Sequence, residues 1–176
     1  EWTLHIQGNT VLANLDGLSA LTRLDSLIVH DNPALTDLDG LSNLVGVDHQ
    51  LEVNYNASLV DFDGLSALSS VGILGVTHNN ALVNLDGLSA LIEARSIALA
   101  NNMSLADCQG IVTLVDPIDD YEPGPGSGGI PDVTERVEIF NNLEGCNSVP
   151  DLLGQVPLFG LNAGLNDAWF DSDTPG

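Results

Sequence analysis

The sequence predicts a right-handed parallel β-solenoid with one strand per 23–24-residue repeat and about six rungs, and three observations carry this. A corner tripeptide recurs as Asp16-Gly17-Leu18, Asp39-Gly40-Leu41, Asp63-Gly64-Leu65 and Asp86-Gly87-Leu88, then in degenerate form as Gln109-Gly110-Ile111, at intervals of 23, 24, 23 and 23 residues. Seven residues before each corner stands an asparagine (Asn9, Asn32, Asn56, Asn79, Asn102), followed three residues later by Leu12, Leu35, Leu59, Leu82 or Leu105. Just before each asparagine lies a short segment whose first and third residues are aliphatic: LHIQGN, LIVHDN, LEVNYN, LGVTHN and IALANN. Alternation with period 2 is the signature of a strand with one buried face. A supersecondary unit repeated at this spacing buries its apolar face only by stacking on its neighbours, with rungs about 4.8 Å apart.

Each element follows in order. Strands are expected over residues 4–7, 27–30, 51–54, 74–77, 97–100 and, after an interruption, 137–140. The asparagine sits where the chain turns, and its amide is suited to pairing turn backbone groups that would otherwise be buried unpaired. Stacked copies predict an asparagine ladder, which would hide Asn56 and Asn102 even though both open glycosylation-like triplets. Each corner aspartate is expected to cap a helical turn through its carboxylate, with the glycine relieving the turn and the flanking leucines pointing inward.

After Leu114 the segment VDPIDDYEPGPGSGGIPD (115–132) brings four prolines among glycines and acids, a texture foreign to a rung. The pattern resumes at VEIFNN, with Val137 and Ile139 inward and Asn142 in the ladder position, so 115–132 is read as an insertion loop. Such a loop has to leave the solenoid. It is expected to fold over one sheet edge or the C-terminal end, anchored by Ile118, Tyr121 and Ile130. Cys108 occupies the inward column of Leu15, Leu38, Phe62 and Leu85, and Cys146 follows strand six one rung along. The two either pair as a clasp near the end of the solenoid or remain two buried thiols. The chain starts within a repeat, which predicts a further rung or a cap upstream.

Charge excludes several partners. Against 25 acids stand three bases, Arg23, Arg95 and Arg136, giving a net charge of −22. That field repels nucleic-acid backbones and anionic lipid headgroups. No run of about 18 apolar residues offers a membrane span, so neither nucleic acid nor direct membrane insertion is expected. His5, His30, His49 and His78 do not gather at metal-ligand spacing, and no nucleophile–base constellation stands out. The pattern implies no resident cofactor, and calcium alone has candidate ligands. These are the loop acids Asp116, Asp119, Asp120 and Glu122, and the corner pairs Asn14/Asp16, Asp37/Asp39, Asp61/Asp63 and Asn84/Asp86.

The outward strand positions are the expected ligand-binding surface, because the fold fixes their places and leaves their identities free. They are His5, Gln7, Ile28, His30, Glu52, Asn54, Thr77, Glu138 and Phe140, with a smooth stretch at Gly75, Ala98 and Ala100.

The run LDSLIVHDNPALTDLDGLSNL (24–44) fits the pattern L-x-x-L-x-L-x-x-N with the next leucine three residues on. It resembles the leucine-rich repeat, and its wording resembles bacterial extracellular proteins related to receptor L-domains. The resemblance covers roughly residues 2–146. It implies a secreted or cell-surface bacterial module for recognition or adhesion, not an enzyme, binding a protein or glycan through the sheet face. The competing expectation is a self-associating structural subunit of a surface layer or filament, in which the partner is another copy. Residues 147–163 are read as a C-terminal cap or linker. GLNDAWFDSDTPG (164–176) resembles the opening of a small aromatic-rich β module found at the C-termini of secreted proteobacterial proteins.

Overall fold

A computed structural model describes residues 2–115, 133–143 and 145–148. The insertion loop from 116 onward, with its four candidate calcium ligands, and the segment 149–176 lie outside these residues. Six strands, β1 (Thr3–Gln7), β2 (Arg23–His30), β3 (Gly46–Asn54), β4 (Ser70–Thr77), β5 (Glu93–Ala100) and β6 (Val133–Phe140), form one sheet in sequence order. Every neighbouring pair is parallel. The fold is a parallel β-solenoid. Opposite the sheet lie five 3₁₀ turns: Asp16–Leu18, Asp39–Leu41, Asp63–Leu65, Asp86–Leu88 and Gln109–Ile111, the last continuing into the short helix α1 (Val112–Val115).

The core fills the space between sheet and turns. In the third rung Leu51, Val53, Leu59, Phe62, Leu65 and Leu68 are all fully buried. The fourth repeats the arrangement with Leu74, Val76, Leu82, Leu85, Leu88 and Leu91. At about 2 kcal/mol per buried leucine side chain, this column is the main favourable term in folding. Corners are tied across rungs by backbone bonds on the side away from the sheet, Thr36 to Ala13, Val60 to Thr36, Val83 to Val60 and Ala106 to Val83, at 3.0–3.2 Å.

The asparagine ladder is present. Asn32, Asn56, Asn79 and Asn102 are wholly buried. The Oδ1 of each accepts the backbone N–H of the asparagine one rung back, as in Asn56 N to Asn79 Oδ1 at 3.0 Å. The Nδ2 of each donates to a strand carbonyl one rung back, as in Asn79 to Val53 at 2.7 Å. Asn142 continues the series with Asn102 N–H and the Leu99 carbonyl, and its own N–H donates to Asn147 Oδ1 at 3.0 Å. Burial of Asn56 and Asn102 leaves neither glycosylation-like triplet an accessible acceptor.

Cys108 and Cys146 are disulfide-bonded, with Cα atoms 5.7 Å apart and a sequence separation of 38. Both are fully buried, and the bridge joins the fifth corner to the chain just after β6.

Three expectations are corrected. The strands are longer than alternation indicated: β2 to β5 begin about four residues earlier than expected, and in β4 and β5 the buried residues of the two halves stand three apart (Val71 and Leu74, Ala94 and Ile97), out of phase with period 2. Leu24 pairs with Val47 and Ser26 with Gln50, so β3 places two residues, Asp48 and His49, opposite Asp25 alone. That extra residue is the origin of the one 24-residue interval, and His49 lies inside β3. The corner aspartates do not cap, for the residue preceding each 3₁₀ turn is Leu15, Leu38, Phe62, Leu85 or Cys108 and no side chain caps it. Instead the side chain two residues upstream accepts the N–H that opens the turn: Asn14, Asp37, Asp61, Asn84 and Asp107 bond Asp16, Asp39, Asp63, Asp86 and Gln109 at 2.9–3.3 Å. Finally, the corner glycine is not there to relieve the turn. A Cβ on Gly40, Gly64, Gly87 or Gly110 would lie 1.7–2.1 Å from the carbonyl oxygen of the preceding rung.

Candidate functional site

The register brings the expected surface residues together in two adjacent columns. His5, Ile28, Glu52, Gly75, Ala98 and Glu138 align across all six strands, and so do Gln7, His30, Asn54, Thr77, Ala100 and Phe140. His5 and Gln7 are exposed, Phe140 is 48% exposed, and Ile28, His30, Glu52, Asn54, Thr77 and Glu138 are half-buried. Thr77 is held by Asn54, whose Oδ1 accepts from the Thr77 hydroxyl at 2.9 Å and its N–H at 3.1 Å. Gln50 Nε2 donates to the Glu52 carboxylate. The smooth stretch is real: Gly75 and Ala100 are buried, and Ala98 is half-buried.

A third column, Thr3, Ser26, Gln50, Ile73, Ser96 and Arg136, was not anticipated. Beyond it, where the longer strands begin, lies a polar cleft of about 210 Å3 lined by Arg23, Asp48, Ser70, Gly72, Glu93 and Arg95 among others. Arg23 grips Asp48 Oδ1 with Nε and Nη2, both at 2.9 Å. Arg95 reaches from β5 across β4 to donate to the Asp48 carbonyl on β3 at 3.1 Å. It can do so because Gly72 has no side chain; a Cβ there would be 2.8 Å from Arg95 Nη2. Among the described residues neither Arg95 nor Glu93 has an ion-pair partner. An open groove of about 450 Å3 adjoins this cleft, shares Arg23 and Asp48 with it, and is completed by Trp2, Leu24 and Asp25. The Trp2 backbone N–H bonds the Asp25 carboxylate, which holds Asp25 below the usual carboxylate range.

At the other end of the strands, the residue before each ladder asparagine has a left-handed backbone: Gly8, Asp31, Tyr55, His78, Asn101 and Asn141, at φ of 54–71°. A tyrosine is an unusual occupant of that region. Its ring stacks on His78, with centroids 4.3 Å apart and planes within 7°, and tilts against His30 at 5.2 Å. The Nδ1 atoms of His30 and His78 are buried without a hydrogen-bond partner among the described residues. The histidines therefore form an aromatic edge to the face with Tyr55. Pattern reading missed this, because nothing in the alternation announces which turn residue carries a ring.

The upstream member of each corner pair considered for calcium accepts a backbone N–H through one side-chain oxygen. Among the described residues no group of three or more His, Cys, Asp or Glu side chains is placed to hold a metal ion. The stacked carboxylates do act on one another. Asp39 is pushed above the usual carboxylate range, first by desolvation and then by Asp37, Asp61, Asp63 and Asp16.

No protein-family model, no curated protein and no solved structure matches the chain.

Proposed function

We propose that this is a non-enzymatic extracellular recognition or adhesion module of leucine-rich-repeat, receptor L-domain type, secreted or displayed on a bacterial cell surface. It binds a protein or glycan through the outward face of its sheet. The observation that carries this reading is the register. Side chains of unrelated chemistry, from Ile28 to Glu52 and from Asn54 to Phe140, stand in fixed columns on a scaffold whose inward positions hardly vary. Scaffold economy of that kind suits binding, where loci must be rigid and identities free. The repeat identity draws on Leu24, Leu27, Val29, Asn32 and Leu35, which fall in the L-x-x-L-x-L-x-x-N register with Leu27, Val29, Asn32 and Leu35 buried. An oxidised, buried disulfide suits a secreted protein.

The test is capture of intact cells and extracellular extracts on the immobilised protein. A Glu52→Arg/Thr77→Arg variant is compared with a Val60→Arg variant, which alters the side away from the sheet. Capture lost only in the former is expected; equal capture by both would overturn the reading.

A self-associating subunit is the second reading, favoured by the smooth run of Gly75, Ala98 and Ala100 on the outward face, against which a second copy can pack closely. Growth of light scattering with concentration would favour it.

A further inference from the structure

Along the C-terminal ends of the strands the left-handed residues form a row with one side chain per rung, and hydrogen bonds hold its backbone in place. Asp31, Tyr55, His78 and Asn101 each donate a backbone N–H to the last strand carbonyl of the next rung, at 3.0–3.2 Å. Glycine and asparagine are the residues that such a backbone favours. Yet the third and fourth rungs keep rings there, Tyr55 and His78, both at φ 59°. Strain retained on a rigid frame points to a use for the side chains.

The rings brace one another and still have bonds to offer. Tyr55 is 48% exposed, stacked on His78 and tilted against His30. Among the described residues its hydroxyl has no hydrogen-bond partner. Nδ1 of His30 and of His78 is buried and unpaired among the same residues. A buried nitrogen without an acceptor is better left unprotonated, which places the proton on Nε2 and makes each imidazole an Nε2–H donor. Asn101 and Asn141 continue the row with amides, joined by a bond from Asn141 Nδ2 to Asn101 Oδ1 at 3.1 Å. Side chains fixed in place with polar atoms unspent are what a binding surface requires.

Charge narrows the ligand. From the third rung to the sixth the row is Tyr55, His78, Asn101 and Asn141, and the strand column beside it runs from Asn54 to Phe140. Neither includes a carboxylate or a guanidinium. In a chain of net charge −22 an anionic ligand is repelled on approach. A protein partner for so acidic a chain would be selected for its bases, which find no counter-charge on this strip. A neutral saccharide needs none. Its hydroxyls each donate and accept, and phenol, imidazole and amide groups answer both needs. An extended glycan also advances by about one strand spacing per sugar, so successive sugars meet successive rungs.

We infer that the strip from Tyr55 to Asn141 binds a neutral, extended oligosaccharide lying along the solenoid axis, one sugar per rung, with hydroxyls bonded by Tyr55 Oη, His78 Nε2 and the Asn101 amide. This rests on the recognition reading above and gives it a ligand class and a place at the C-terminal margin of the sheet face.

The experiment is a calorimetric titration with cellohexaose, β-linked mannohexaose and chitohexaose as extended chains, maltohexaose as a coiled one and hexagalacturonate as an anionic one. At least one extended neutral chain is expected to bind, and to bind more tightly than the coiled and anionic chains. Tyr55→Phe keeps the ring, removes the hydroxyl and is expected to weaken binding about fivefold. Tyr55→Gly is expected to weaken it by about tenfold or more with no fall in melting temperature, because glycine suits the backbone at φ 59°. Val60→Arg, away from the sheet, is expected to leave affinity unchanged. Absence of binding by every extended chain at millimolar concentration overturns the inference. So does affinity indifferent to Tyr55→Gly, or tighter binding of maltohexaose or hexagalacturonate. A protein partner, seen as capture from cell extracts that protease abolishes and periodate spares, overturns it too. If the sugars fail while cell capture still depends on Glu52 and Thr77, only the ligand class and place fall. If capture is also indifferent to those residues, the recognition reading falls with them.

Discussion

A Cβ placed on Gly87 would stand 1.9 Å from the carbonyl oxygen of Phe62, one rung before it. Gly40, Gly64 and Gly110 stand in the same relation to Leu15, Leu38 and Leu85. The recurring Asp-Gly-Leu is therefore a statement about stacking distance. Rungs separated by a strand spacing bring each corner onto the backbone of its neighbour, and only a residue without a side chain fits. The obstacle is backbone, which cannot step aside.

Gly64→Ala and Gly87→Ala should accordingly cost about 3 kcal/mol or more, at the upper end of overpacking. Gly17, in the first rung, has nothing within 4 Å of its Cβ position. Gly17→Ala should be neutral or stabilise by up to about 1 kcal/mol through the unfolded chain. Urea midpoints of the three variants provide the measurement, and a uniform effect across them would contradict the stacking account.

The ladder asparagine predicts a different signature. Asn79→Ala strands the Asn56 N–H and the Val53 carbonyl in a dry interior, each costing about 1–3 kcal/mol. Asn79→Asp should fare no better, since a carboxylate accepts from Asn56 but has nothing to donate to Val53. Asn9 is exposed, so Asn9→Ala should cost far less. Thermal melts of the three give the order directly.

How much of this was legible depends on which interactions lie within one repeat. Leu51, Val53 and Asn56 could be placed because alternation and spacing are local, and stacking copies only repeats them. The strand starts could not, because the buried residues of the two halves of a strand stand three apart, as Val71 and Leu74 or Ala94 and Ile97 do, which breaks the period of two that carried the pattern. The capping residue was readable in principle. The fifth corner replaces aspartate by Gln109 yet keeps Asp107 two residues before it, so the upstream position was the constant one. The cleft was beyond reach. Arg95 meets Asp48 over a glycine two rungs from its partner, and no single repeat encodes that.

The disulfide closes a loop of 38 residues, worth about 3–4 kcal/mol in the chain-entropy account. A Cys108→Ala/Cys146→Ala variant should lose that much. Its losses should concentrate on the last rung, because the bridge ties the chain after β6 to the fifth corner. Hydrogen exchange should show faster exchange at Asn142 and Cys146 than at Asn56. Mass spectrometry of protein never exposed to reductant should find no free thiol.

The acidic column at the corners should make stability fall as pH rises above the ordinary carboxylate range. Asp39 is the indicator. Its folded-state pKa is raised, by desolvation first and by Asp37, Asp61, Asp63 and Asp16 after it. Between the unfolded value and the raised folded value the native state binds more protons than the unfolded chain, so stability decreases with pH across that window. The contribution is present below the unfolded pKa and is lost as pH climbs through the folded one. Asp39→Asn removes the titrating group and should flatten this part of the profile. Asp61→Asn should flatten it less, since it removes a lesser cause of the shift and, through its side-chain oxygen, keeps the bond to the Asp63 N–H. Because these carboxylates stand near the surface, added salt should shrink the slope in the parent protein and leave Asp39→Asn almost unchanged. Melting temperatures measured against pH at low and high salt decide it, and a parent profile that rises through the same window would refute the column as a source of strain.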